Sequence, residues 1–517
     1  VPDAVPDEIS SFYPQDDEQD SHQESPVAAA ALASLIEANA ACSKLPSYYS
    51  HSYGTHKVDN ARYLHYLQSA VHTSASALLS SMDPSYISPD DIPEPTTVKE
   101  ALSGAHALEW LRAMQSELNS LRKNRTWKET PLPSGRTPVG TKWVFKVKRE
   151  HGKVTRFKAR LVVQGFACRP GFDYDPDGLY SPVTRQSSVR TVVGIAATQN
   201  WHLHSADVDT AFLLSPISED IFLKPPVAYN LPPDVDKIDL SDPSLLFKSP
   251  HSAGGEKLVL KLEKSLYGLP QAPRNWYLLL HHYLIEQGFV QCLSDPCLYS
   301  LDKDGKRALL AIYVDDALIA SPDLDWITTF KTNLHTRFGI KDQGETSWLL
   351  GVSVSRDRQA GTITLSQEAY IKELTNRYGL QNASPKSLPI SPDFVLYPKG
   401  AHQSNPCTPA EKELFKSMLG SCLFAALFTR PDISIGCSML GRVQSNPTKA
   451  HYRQLQNLIV YLYGTSTRGI TFGGPSSPLT LTAYVDSDYA GSATEEARRS
   501  TSGFVVMYAG GPISWYS

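Results

Sequence analysis

Past Thr97, a residue type that caps helices, apolar side chains recur at three- and four-residue spacing. Leu108, Leu111, Met114, Leu118 and Leu121 fall on one face and predict an amphipathic helix whose role is core packing. From Lys142 the period changes to two. The segments KWVFKVKRE and RFKARLVVQGF read as strands of a hairpin joined across Gly152. Residues 228–257 are a Pro/Asp/Ser/Gly-rich insertion between ordered stretches, and ALLAIYVDDALIAS reads as apolar strand, two acids, apolar strand. Helical spacing dominates from Pro409 to Gly464. After a turn signal near Gly473, TLTAYVDSDYAG and TSGFVVMYAGG read as strands of a further β-rich unit. Helices and strands mix without regular alternation, which predicts an α+β chain of several subdomains. Residues 1–95 are weakly periodic, with one Ala-rich stretch (Ala28–Ala41) that could form a short helix and a linker around Pro84, Pro89, Pro93 and Pro95.

Composition changes this picture in two ways. The net charge of -4 conceals a strong asymmetry: residues 1–43 carry nine acids and no Lys or Arg, whereas residues 121–170 carry fourteen Lys/Arg against Glu129 and Glu150. That basic block is interleaved with Trp127, Trp143, Phe145, Phe157 and Phe166, as a phosphate-tracking surface requires, although a solvated lysine-rich sheet edge gives the same pattern. The seven cysteines include no CxxC pair, which argues against a zinc site or disulfide framework and for an intracellular setting. No run nears the roughly 18 apolar residues of a membrane span. The acidic start is no signal peptide, and a first residue of Val suggests a processed or fragmentary chain.

The candidate chemistry lies in carboxylates. Asp315-Asp316 sits at the tip of an apolar hairpin, where the pair either forms the turn or binds a cation. Asp-Asp suits a tight two-residue turn poorly, because both central residues need positive φ. Adjacent carboxylates stay ionised beside an apolar sheet most readily when a cation neutralises them, and oxygen ligands suit magnesium. Asp207, in LHSADVDTAFLL, stands at a strand end; alone it reads as a cap or turn residue, and Asp209 competes with it. Two-metal phosphoryl chemistry needs carboxylates from separate strands, as Asp207 and Asp315 would supply.

One ordered series of motifs covers most of residues 108–517: WLRAMQSELNSLRKNRTW, KWVFKVKR, RFKARLVVQGF, DVDTAFL, KSLYGLPQAPRNWY, IYVDD, WLLGVSV, GSCLFAALFTRPDI and YVDSDYAG. It resembles the reverse transcriptases of copia-type (pseudoviral) LTR retrotransposons. The resemblance implies a right-hand polymerase of fingers, palm and thumb, followed by a connection and an incomplete RNase H-like unit. Asp207, Asp315 and Asp316 match the metal-binding carboxylates for two Mg2+ ions, with Mn2+ as a substitute. Val208 would offer its carbonyl to the incoming-nucleotide metal. Phe212 matches the aromatic gate against a 2′-hydroxyl, and Gln271 the glutamine that packs against the nucleotide. Arg160 is the first choice for the triphosphate, Lys158 its rival, and Lys146 or Lys148 a second phosphate ligand. Leu350 and Gly351 resemble the primer grip, and Asp486 the first RNase H ligand.

The implied division is 1–95 as an acidic, Pro/Ser-containing flexible linker, 96–345 as fingers and palm, 346–465 as thumb and connection, and 466–517 as the N-terminal part of a truncated RNase H domain. The implied partners are an RNA or DNA primer-template, dNTPs and other segments of a Gag-Pol polyprotein, with no membrane; the implied place is the cytoplasm, in virus-like particles if the element is active. Leu214-Ser215-Pro216 departs from the family's small turn after DVDTAFL. Asp486 lacks the later RNase H carboxylates, so no RNA cleavage is expected, and the strands after residue 478 should leave an apolar face and an edge exposed. The alternative to an RNA-directed DNA polymerase is an inactive retrotransposon remnant that at most binds nucleic acid through its basic block.

Overall fold

Thr97 does cap a helix: its hydroxyl accepts the Glu100 amide and opens α1 (Val98–Ser103), which leads into α2 (Ala107–Lys123). The computed structural model describes residues 92–150, 153–232, 235, 238, 256–396, 405–487 and 501–517; the acidic stretch with Ala28–Ala41, Gly152 and most of the 228–257 insertion lie outside them. Helix α2 buries Leu111, Met114, Leu118 and Leu121, the repeat read from the sequence. A three-stranded sheet of β1 (Trp127–Pro131), β6 (Leu258–Leu262) and β5 (Phe222–Leu223) shares this core with a hairpin of β2 (Thr141–Glu150) and β3 (Lys153–Val163).

Alternation sorts the hairpin into two chemically different faces. Trp143, Phe145, Val147, Ala159 and Leu161 are buried, and Trp110 of α2 meets Phe145 and Phe157 edge-on at 5.2 and 4.7 Å. The register pairs Lys146 with Lys158 and Lys148 with Arg156, and sets Arg160 opposite Val144, so these cations share the other face. Glu94 takes one of them, pairing with Lys146 at 2.9 Å while accepting the Val147 amide.

The central sheet has the order β11 (Ile340–Glu345), β4 (His202–Val208), β10 (Asp316–Ser321), β9 (Lys306–Tyr313), β8 (Leu298–Lys303), β7 (Val290–Gln291), all antiparallel. Helices α3 (Gln186–Thr198) and α5 (Leu324–Phe338) pack on its strands. Together with α4 (Ala272–Glu286), α5 joins the apolar core around Ala206, Ile312, Ile319 and Trp276.

A second sheet, β12 (Trp348–Leu349), β13 (Val352–Asp357), β14 (Thr362–Ser366), is completed by the distant β15 (Ile470–Gly473), so this unit extends through Gly473. Between β14 and β15 come α6 (Glu368–Arg377), α7 (Pro409–Phe428), α8 (Ser434–Gly441) and α9 (Lys449–Gly464), packed on one core. Reciprocal caps, Thr408 with Glu411 and Thr448 with His451, start α7 and α9. The last sheet is β16 (Thr482–Ser487), β17 (Ser502–Tyr508), β18 (Gly511–Tyr516). On β16 Val485 is 76% exposed, whereas β18 packs on α3 and buries Ile513. Among the described residues no helix is long and apolar enough to cross a membrane.

Candidate active site

Three carboxylates gather at one end of the central sheet because β4 and β10 are neighbours in a particular register. Asp207 stands directly opposite Asp316, and the row continues to Lys341 on β11 and Tyr313 on β9, so these side chains share a face. The turn between β9 and β10 differs from the sequence expectation. Its central residues are Val314 and Asp315, because Tyr313 pairs with Asp316 and Asp316 already belongs to β10. Val314 has φ 55 whereas Asp315 is not in the positive-φ region, the pattern of a turn that favours glycine at its first central position. A β-branched residue there is strained by on the order of 1–3 kcal/mol and persists only where its surroundings dictate it. They do so from two sides. Trp276, fully buried on α4, donates its indole N–H to the Val314 carbonyl at 2.6 Å, and the Val208 amide donates to the Asp315 carbonyl at 2.9 Å.

These carboxylates repel one another in a part-desolvated place. Burial, then Asp315 and Asp207, push Asp316 up to about 7. Burial, then Asp315 and Asp209, raise Asp207. Asp315 reaches solvent at the hairpin tip; the protein packed around it raises its carboxyl, while its own backbone amide, Arg160 and Lys158 oppose the rise. Neither the Asp207 nor the Asp316 carboxyl accepts a hydrogen bond among the described residues. Hard oxygen donors that lack proton partners and are held at mutual cost are a donor set that fits magnesium. They are not drawn into a finished cage: among the described residues no three His, Cys, Asp or Glu side chains converge closely enough to hold an ion. Asp209 is exposed beyond the end of β4.

Across from the acids lies the cationic face of the β2–β3 hairpin. The charges of Lys158 and Arg160 act on Asp315. Arg160 is exposed and Lys158 half-buried, its ammonium lowered by burial and by Arg160, Lys148 and Arg156. Lys148 is exposed, and Lys146 is committed to Glu94. Tyr267 connects the two groups, a role that sequence reading missed. Arg160 lies over its ring at 5.1 Å, and Phe212 meets it edge-on at 5.3 Å. Phe212 is half-buried in a 3-10 turn, Ala211–Leu214, entered through Thr210 at φ 56. Val208 is buried. The departure at Leu214-Ser215-Pro216 is accommodated by Ser215, whose amide and hydroxyl both donate to the Phe212 carbonyl.

The Tyr267-Gly268 loop lies backbone-to-backbone on the end of β3: the Val163 amide donates to the Tyr267 carbonyl at 2.7 Å, and a Cβ on Gly268 would meet the Val163 oxygen at 2.2 Å. Gly268 also has φ 90, so only glycine fits. Gln271, just beyond, is buried; its Nε2 donates to the Asp173 carbonyl and to Glu219, while Oε1 has no partner. Leu350 and Gly351, at φ 50 and 81, form the two-residue turn between β12 and β13, where Gly351 faces Phe424. Asp486 is exposed on β16, in a different sheet from the acidic row.

A family model described as reverse transcriptase (RNA-dependent DNA polymerase) matches residues 124–248 and 248–392. The chain is 36% identical over 439 residues to the retrovirus-related Pol polyprotein from transposon TNT 1-94 of Nicotiana tabacum, covering 84% of this chain and 31% of that one. It is 35% identical over 428 residues to the corresponding polyprotein from transposon RE1 of Arabidopsis thaliana, covering 82% and 26%. It is 26% identical over 314 residues to the transposon Ty1-ER2 Gag-Pol polyprotein of Saccharomyces cerevisiae, covering 58% and 15%. The chain thus spans less than a third of the length of these relatives.

Proposed function

The chain belongs to the copia-type reverse transcriptase (RNA-dependent DNA polymerase) family, and from that premise we propose that it is an RNA-directed DNA polymerase that extends a primer on an RNA or DNA template. The observation that carries this reading is the β4–β10 register, which sets Asp207 against Asp316 beside a strained, doubly braced Val314-Asp315 turn. Backbone strain held by specific hydrogen bonds at a cluster of mutually repelling acids is what a functional site stores.

In this reading the β2–β3 hairpin belongs to the fingers, the central sheet to the palm, and residues from 346 onward to the thumb and connection. Asp207, Asp315 and Asp316 would hold two Mg2+ ions, with Mn2+ able to substitute. Bound there, the ions would supply Lewis acidity for the primer 3′-hydroxyl and for the charge on the leaving pyrophosphate. The new bond joins the 3′-oxygen to the α-phosphorus, and the bond to pyrophosphate breaks. Arg160, a planar multiple donor, takes the triphosphate, with Lys158 and Lys148 adding positive field. Phe212 underlies the sugar, Gln271 packs against the nucleotide, and Val208 offers its carbonyl. The Leu350-Gly351 turn supports the primer end. Asp486, on β16, matches the first ligand of an RNase H-like unit. The chain's partners are primer-template, dNTPs and the other segments of a Pol polyprotein.

Primer extension on poly(rA)/oligo(dT) in magnesium is the direct test. Extension that Asp315→Asn abolishes, with template affinity nearly kept through the basic face, is expected. A wild-type chain that binds the template without extending it would make this an inert remnant.

A further inference from the structure

Arg190 is a buried cation held by carbonyls and an aromatic ring. It lies in α3, 5% exposed, and among the described residues no carboxylate pairs with it. Its Nε donates to the Ile513 carbonyl at 2.8 Å, and its Nη1 to the carbonyls of Leu427 and Phe428 at 2.8 and 3.1 Å. Its guanidinium stacks 4.0 Å from the Trp515 ring, and the Trp515 indole N–H donates to the Ala426 carbonyl at 2.8 Å. Three segments far apart in sequence therefore meet on one side chain: α3, the end of α7, and β18. Burial lowers the guanidinium to about 9.

The packing around it is equally close. A Cβ on Gly194, one turn further along α3, would come within 3.0 Å of Tyr508 on β17, and a Cβ on Gly511 within 2.7 Å of Phe472 on β15. The Gly473 amide donates to the Ala509 carbonyl at 2.8 Å. Hairpin β17–β18 is thus seated on α3 and β15, while β16, its partner in the sheet, is largely exposed. Helix α3 packs in turn on β9 and on β4 and β10, the strands that carry Asp207 and Asp316.

We propose that Arg190 is a positioning residue for polymerisation, and that hairpin β17–β18 is part of the polymerising body rather than only the opening of a separate unit. This rests on the polymerase reading above. A buried guanidinium is tolerable only while its carbonyl and indole partners are in place. Release of the hairpin strips away the Ile513 carbonyl and the Trp515 ring together, so α3 keeps its position under the catalytic strands only when the hairpin is docked. The acids and the hairpin then share one cooperative unit.

The test uses the full chain with Trp515→Ala, and with Trp515→Phe as the variant that keeps an aromatic face. Hydrogen exchange is followed in 502–516 and in 202–208 with 316–321, and single-turnover extension is measured per folded molecule beside the dNTP KM. Trp515→Ala should speed exchange in both regions by about tenfold or more and slow extension by a similar factor, since the buried cation loses a partner. The KM should stay within about twofold, because no nucleotide contact is touched. Trp515→Phe should recover most of both losses. Faster exchange confined to 502–516, with extension unchanged, would overturn the proposal, as would unchanged exchange throughout. A wild-type chain that never extends a primer would sink the polymerase reading instead, and exchange would still decide whether hairpin and catalytic strands move as one.

Discussion

Replacing Asp316 by Asn removes the most strongly perturbed of the three acids, and its effect on stability has a sign that can be worked out. Asp316 is raised from its ordinary 3.8 to about 7 by burial, Asp315 and Asp207. Between those values the folded chain, free of metal, holds a proton that the unfolded chain has released. Stability therefore falls as pH rises from about 4 to about 7 and levels off above. The full difference corresponds to ~4 kcal/mol at 1.36 kcal/mol per tenfold. Asp316 is only half-buried, and water screens its neighbours, so about 1–2 kcal/mol is the reasonable share. In EDTA, Asp316→Asn should accordingly be more stable than wild type by that amount at pH 8 and nearly equal at pH 4.5. Magnesium should reverse the order. It competes with protons for the same oxygens, so it should stabilise wild type increasingly from pH 6 to 8 and the variant much less. Urea unfolding across this pH range, with EDTA or with magnesium, reads both effects without any catalytic assay. Wild type and variant that keep a constant stability difference from pH 4.5 to 8 in EDTA would show that the acids do not repel one another as the register implies.

The same geometry gives three further expected outcomes. Phe212→Val opens space beside Tyr267 and should raise the ratio of ribonucleotide to deoxyribonucleotide incorporation by about tenfold or more, measured by competitive extension; equal ratios in two active enzymes would leave Phe212 a packing residue. Trp276→Phe deletes the indole bond to the Val314 carbonyl, which should cost about 1–2 kcal/mol in denaturant unfolding and slow single-turnover extension without changing template affinity. Arg160→Gln should raise the dNTP KM by about tenfold, the effect of one charge-assisted bond, and more than Lys158→Gln does if the exposed guanidinium is the triphosphate ligand; the reverse order would exchange the two assignments.

Legibility in the sequence depended on the range of the interaction. The α2 stripe and the two faces of the β2–β3 hairpin were readable, because helical and alternating periods are local and each residue's neighbours specify its side. The acids were readable as residue types in motifs, but their arrangement was not. Asp315-Asp316 looks like the tip of its hairpin, yet the turn is Val314-Asp315, because Asp316 pairs with Asp207 across β4. A slip of one residue would turn every β10 side chain to the opposite face, and only pairing with a strand more than a hundred residues earlier selects the register. The strain at Val314 is invisible for the same reason: Val is an ordinary strand residue until Trp276 and Val208 hold the turn from outside it. Leu350-Gly351 was half-readable, since Gly announces a positive φ and Leu conceals one. Tyr267 and Arg190 carried no local signal at all. Tyr267 is defined by the presence of Arg160 on one side and Phe212 on the other, and Arg190 by the set of carbonyls and the indole that replace a counter-ion. A residue whose role is to join distant segments has its meaning in their meeting, so the boundary at 466 that the resemblance implies passes between Arg190 and the hairpin that solvates it.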